Sequence, residues 1–197
     1  AALARGEGAV GTATPLPPAG IERARAYFAD AAGTAARYLA RPDGPRIGAM
    51  GFVGWDTHVN EGAADGQLAG LLGALDGALT AMETNLGSAW QETVVVVTTE
   101  FGRTARINGS NGTDHGTGTV ALLAGGALKG GRVLADWPGL KSADLYEGRD
   151  LKPTIDLRAV LKGLLRDHLR VEEKALAASI FPDSSDVAAT PGLLRSA

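Results

Sequence analysis

The 197-residue chain contains no cysteine. Disulfides, thiolate metal sites and a cysteine nucleophile are therefore excluded, while the redox compartment is left open. No apolar run approaches the roughly 20 residues that a membrane-spanning helix requires, so no membrane span is expected. The N-terminal AALARGEGAVG lacks the basic-then-apolar order of a signal peptide. Export would need a leader lying outside this chain. Runs of one charge are also missing: the net charge is −3, and the 19 lysines and arginines are dispersed along the sequence. Without a basic patch there is no electrostatic footprint of a nucleic-acid binder, and no nucleic-acid partner is expected.

What is present suits a globular, loop-rich α/β enzyme and equally a merely compact domain. Apolar residues make up 45% of the chain, enough to bury a core of one domain. The 28 glycines are about twice the usual share of roughly 7% and cluster between apolar runs, where tight turns are needed. Residues 1–19, ending in PLPP, read as a flexible Pro/Gly-rich arm. Residues 20–197 read as a single α/β domain, itself part of a longer one.

Helical spacing of Ile21, Ala24, Tyr27, Phe28, Ala31, Ala32 and Ala35 predicts a helix over 21–39, closed by RPDGP. The clearest apolar stripe, Leu68, Leu71, Leu72, Leu75, Ala78, Leu79, Met82 and Leu86, predicts a long helix within 65–89. A third helix is predicted over 154–169, with Thr154 or Asp156 at its start. Three runs have strand character: IGAMGFVG (47–54), TVVVVTT (93–99) and TVALLAGG (119–126). A buried strand, a long helix and a second buried strand predict a right-handed crossover, and hence a mostly parallel sheet flanked by helices on both faces.

Two clusters carry the chemistry. In GWDTH (54–58), an extended backbone sends the side chains of residues i and i+2 to one side, so Asp56 and His58 can aim at one point. A carboxylate with an imidazole suits zinc, manganese or iron better than calcium. The competing reading is a capping Asp and a His hydrogen-bonded beneath Trp55. The second cluster is TTEFGRTARINGSNGTDHGTG (98–118), with Glu100, Arg103, Asp114 and His115 between two strand candidates. If the clusters converge at the carboxyl ends of the strands, His58 and His115 with the acids Asp56, Glu100 and Asp114 are candidate metal ligands, enough for one or two divalent ions, with Arg103 suited to a tetrahedral oxyanion. Alternatives stand beside this: Glu100 and Arg103 as a local ion pair, and Asp114 as the partner that fixes the tautomer of His115. His168 reads as a helix-surface residue, and Trp55 and Trp137 as packing. The NGSNGTDHG glycines lack nucleotide-loop spacing and the following lysine.

The ordered set GWDTH, VVVVTTEFGRT, an Asn, GTDHGTG, GGRV, DWPGL, TIDLRAVL and FPD resembles the C-terminal half of a bacterial domain-of-unknown-function family. That family is related to alkaline phosphatases and sulfatases and is commonly exported by the twin-arginine route. The resemblance covers most of residues 47–182. It implies an alkaline-phosphatase-like α/β fold, a small anionic ester as substrate, and a periplasmic or secreted location. It further implies hydrolysis of phosphate or sulfate esters with a divalent metal, zinc foremost and manganese, iron or magnesium as alternatives. By position, Asp56, His58 and His115 resemble ligands of one metal, Glu100 stands where a ligand of a second metal lies, and Arg103 would balance charge on the reacting oxyanion. Two departures accompany it. The superfamily's N-terminal aspartate and nucleophile segment has no counterpart here, so a missing N-terminal half or a second chain is an expected partner; the alternative is a non-catalytic metal-binding or structural domain. Glu100-Phe101 also stands where the phosphatases have Asp-His.

Overall fold

The structure, a computed structural model, describes residues 18–195. The arm expected over 1–19 lies outside the described residues apart from its last two positions, which open the first helix. In chain order the elements are α1 (Pro18–Leu39), α2 (Gln67–Leu86), a 3₁₀ segment (Gly87–Glu92), β1 (Val95–Val97), β2 (Gly102–Arg103), β3 (His115–Gly116), β4 (Leu122–Ala124), α3 (Leu157–Leu169), α4 (Glu173–Ala175) and a π-helical turn (Leu176–Ile180).

The two long helices form where the apolar periodicity predicts them and pack on each other. Their buried faces are Phe28, Ala32 and Ala36 on α1, and Leu71, Ala74, Ala78, Met82 and Leu86 on α2. Alanines at the contact bring the backbones close: a Cβ at Gly70 would stand 2.6 Å from Ile21 Cγ2. Ile21 meets Gly70 near the start of both helices and Arg37 donates to Asn85 near their ends, so they run parallel. The 40–66 segment must therefore return the full length of α1. Phe52 and Trp55 of that segment pack on the helix pair, with the Phe52 ring stacked on Phe28 at 4.0 Å between centroids.

The parallel sheet expected from the sequence, and with it the alkaline-phosphatase-like α/β architecture, is not formed. Among the described residues there are two two-stranded sheets, both antiparallel: β1 with β4 and β2 with β3. Two physical reasons account for this. The 47–54 run makes no strand: Gly54 has φ 108, and Ile47, Met50 and Val53 face outward while Phe52 alone turns to the helices, so no βαβ crossover exists. The 93–99 and 119–126 runs have no helix between them, and a chain that reverses without a crossover pairs antiparallel.

Together β1 to β4 are one long hairpin. Val96 opposes Leu123 at its base and Arg103 opposes His115 further out. Between these ladders the outgoing arm has four residues (98–101) and the returning arm five (117–121), a one-residue offset of the bulge kind. Residues 104–114 form the tip.

The hairpin base rests on α3 through a second core of Leu128, Leu164 and Leu193, with Val94, Val96 and Leu123 alongside. The tail after α4 is tied to α3 by the buried Lys162, whose Nζ donates to the carbonyls of Ser184 and Val187. Of the two residues expected at the start of α3, Asp156 is the cap: its Oδ1 accepts from the Arg158 amide at 2.8 Å. Replacing a capping Asp by Ala typically costs about 1 kcal/mol. Asp156→Ala is therefore expected to lower unfolding free energy by about that amount in urea melts, and a variant as stable as the parent would contradict the assignment.

Candidate metal centre

The site begins as a seam between two pieces of irregular backbone. The Thr113 amide donates to Thr57 O, the Asn60 amide to Ser110 O and the Glu61 amide to Asn111 O, at 3.2, 3.0 and 2.9 Å. These bonds stitch the hairpin tip to the 57–61 loop. Asn108 sits at the centre, its Nδ2 donating to His58 O and Asp114 Oδ1 while its Oδ1 accepts from the amides of Ser110 and Gly112. The approach is too close for side chains: a Cβ at Gly112 would lie 2.2 Å from the His58 carbonyl carbon. At Gly102, back along the hairpin, it would lie 1.7 Å from Gly118 O. The glycines of EFGRT and NGTDHG are thus demanded by backbone against backbone.

This seam converges the residues singled out from sequence. Thr57 is buried, and the side chains on either side of it both point to one centre, as alternation predicts. On the hairpin, Arg103 and His115 are directly opposed and so project from the same face. Asp56 Oδ1 lies 2.9 Å from His58 Nε2 and 2.9 Å from His115 Nε2, and the two nitrogens are 3.2 Å apart. Asp56, His58 and His115 are the group among the described residues whose ligand atoms cluster so as to hold a metal ion. Ligands at 2.0–2.2 Å from a tetrahedral zinc are roughly 3.3 Å apart, so outward movement of a few tenths of an ångström accommodates one. Three donors cover one face of such an ion and leave a position open. The centre is open to solvent, with Asp56 and His115 each more than half exposed.

Surrounding groups fix these ligands. Asp114 Oδ1 is 3.1 Å from His58 Nδ1 and accepts its proton, which leaves the Nε2 lone pair at the centre. Asp114 therefore orients His58, whereas the sequence had suggested His115. The assignment that satisfies the remaining contacts has His115 Nε2–H donating toward Asp56 Oδ1 and His58 Nε2. Coordination of an ion at this centre displaces that proton. Hydrogen bonds first from Arg103 and then from His115 hold the Asp56 carboxyl below the usual aspartate range. Asn108, then His58, does the same for Asp114. Both carboxylates are thus ionised and ready as acceptors.

All three nitrogens of Arg103 are engaged: NH1 with Asp56 Oδ1 at 2.7 Å, Nε with Thr113 Oγ1 at 3.0 Å, and NH2 with Thr113 O. Glu100 is exposed in the turn before β2, outside the ligand group, and its side chain has no ion pair with Arg103 or any other described residue. His168 lies in the last turn of α3 and is not part of the ligand group.

Three supporting residues escaped the sequence reading. Asn108 shows only the weak signal of an Asn four residues before a glycine. Glu61 accepts from Thr113 Oγ1 at 2.6 Å, and Asp150 is buried behind the hairpin; nothing in the sequence marks either. Asp150 accepts from Thr117 Oγ1 at 2.8 Å and from Arg149 NH2 at 3.1 Å. Its Oδ1 lies 2.8 Å from Arg149 Nε without hydrogen-bond alignment, so this buried oxygen is ion-paired only. Burial pushes the Asp150 carboxyl upward, but Thr117 and Arg149 outweigh it and hold it below its ordinary value.

The molecule so described is a small mixed helix–hairpin protein with a two-His, one-Asp centre that can hold a metal ion. Residues 13–180 match the family described as "Protein of unknown function (DUF1501)", and the chain belongs to that family. No curated protein and no solved structure matches it.

Two outcomes follow from this geometry. Loss of a hydrogen-bond partner behind a ligand commonly costs 10–100-fold in metal affinity, so Asp114→Asn is expected to weaken zinc binding by about that factor in competition titrations. Affinity equal to the parent's would refute the orienting role. Because the Asp150 carboxyl is depressed in the fold, its stabilisation is complete above the unfolded value of about 3.9 and is lost as pH falls through the folded value. Asp150→Asn should therefore destabilise by about 1–3 kcal/mol at pH 7 and by progressively less as the pH falls below about 3.9, a trend that urea melts across the acid range can test.

Proposed function

We propose that the protein is a metal-dependent hydrolase of phosphate or sulfate esters, acting through one divalent ion held by Asp56, His58 and His115. The observation that carries the reading is the triangle of donor atoms with sides of 2.9, 2.9 and 3.2 Å. Two imidazoles and a carboxylate favour zinc, then manganese or iron; magnesium fits less well because it prefers oxygen. An ion in this position supplies Lewis-acid chemistry, polarising an ester oxygen and acidifying a water.

The chain's own groups have defined parts. Asp114 and Asn108 keep His58 in its ligating tautomer. Arg103 fixes Asp56 through a 2.7 Å bond from NH1 to Oδ1 and would place a positive charge beside a bound ion, near where charge builds on an ester's oxygens. Phe101 lies against His115, with ring centroids 4.5 Å apart, and limits its rotation. A small anionic ester as substrate and a periplasmic or secreted setting are supported by the resemblance of the motifs alone.

A second reading has its own support. With every Arg103 nitrogen engaged and the ligands drawn from two stitched segments, the ion would serve as a clamp without turnover. Metal analysis combined with assays on aryl phosphates and aryl sulfates separates the two. The hydrolase reading expects a bound divalent ion and turnover that falls about a hundredfold or more in His115→Ala. Equal turnover in both proteins would refute it. A bound ion, no turnover, and a melting temperature lowered by chelator would establish the clamp.

A further inference from the structure

Beside the ligand triangle, behind His58, a cleft of about 200 Å³ is lined by Thr104, Arg106, Ile107, Asn108, Gly148 and Arg149, with Asp114 at the edge nearer the metal centre. It is smaller than the roughly 300–1,000 Å³ of sites for whole organic ligands and is suited to one compact group. Its two arginines are brought together by backbone pairing. Thr104 bridges to Asp150 and the Ala105 amide donates to Arg149 O at 3.2 Å, so the 104–106 and 148–150 segments run side by side. Gly148, at φ 67, lines the cleft without a side chain.

The charges at the cleft are unevenly compensated. Arg149 is paired with the buried Asp150 behind it. Asp114 is already engaged by His58 Nδ1 and Asn108 Nδ2. Arg106 has no carboxylate partner among the described residues. Its NH2 donates to Ser142 Oγ at 2.5 Å, a tether from a segment 36 residues away, while Nε and NH1 have no partner there. A guanidinium held in place from one side with two donors still available is preorganised for an oxyanion. Arg103, with its fork closed on Asp56 and Thr113, lacks that freedom.

We infer that this cleft is an anion-binding site, distinct from the metal centre, that takes a phosphate or sulfate group on Arg106 and Arg149. The site does not depend on the metal. Binding of inorganic phosphate at constant ionic strength is therefore measured by isothermal titration calorimetry on chelator-treated full chain, so that its outcome is separate from that of the hydrolase reading. Parent and His115→Ala are expected to bind phosphate alike. Arg106→Gln should weaken binding about tenfold or more, as loss of charge-assisted hydrogen bonds does, and Arg106→Glu should abolish it.

Arg149 is unsuitable as the probe, because its removal strands the buried Asp150. Should the Arg106 variants lose their far-ultraviolet dichroism, Ser142→Ala, which only releases the tether, is expected to weaken phosphate by about threefold, the loss of one modest hydrogen bond. The inference is overturned if the parent binds no phosphate, if folded Arg106 variants bind it as the parent does, or if binding is lost in His115→Ala, which would place the anion at the metal centre instead.

Discussion

Everything at this site depends on the backbone seam between residues 57–61 and 108–113. No ligand lies in a long helix or strand: Asp56 and His58 belong to an irregular return segment, and His115 to a two-residue ladder. Such segments have little rigidity of their own. They acquire it because their amides and carbonyls pair across the gap and because Asn108 satisfies both sides at once. The glycines allow the approach, and the buried Thr57 fixes which way its neighbours face. Position, ionisation and tautomer of the metal-binding groups follow from that contact.

The parts of the molecule legible in the sequence are those governed by short-range periodicity. Leu71, Leu75, Ala78 and Met82 announce α2 at helical spacing and are buried on it, and Asp156 announces the start of α3. Asp56, His58 and His115 could be nominated because few other residue types bind metals and because i, i+2 spacing has a simple meaning in extended chain. Sheet direction was not legible in the same way. Val95–Val97 and Leu122–Ala124 have the same apolar character whichever way they run, and the expected crossover rested on giving 47–54 the role of a strand. Its Ile47 and Val53 instead face outward and are largely exposed. Asn108 and Asp150 each reach a partner dozens of residues away, His58 and Thr117, a distance over which local pattern is silent.

The three arginines near the site show how one residue type is differentiated by its surroundings. Arg103 is a fastener, with each nitrogen assigned to a neighbour. Arg149 compensates a buried carboxylate and is held by it. Arg106 is tethered by a neutral hydroxyl and retains its charge toward solvent. Counting basic residues would treat the three alike, whereas their hydrogen-bond partners assign one to architecture, one to electrostatic compensation and one to the solvent side.

The unequal arms of the hairpin have a consequence for fidelity. Side chains on a strand alternate sides, so a slip of one position along either arm would turn the His115 imidazole to the reverse side of the ribbon and break its opposition to Arg103. The valines at the base offer little resistance to such sliding, since one valine replaces another. Correct alignment is therefore enforced from the far end, where Gly102 and Gly112 admit neighbouring backbone at only one place. In this protein the chemistry of a few exposed side chains is guarded by residues that have no side chain at all.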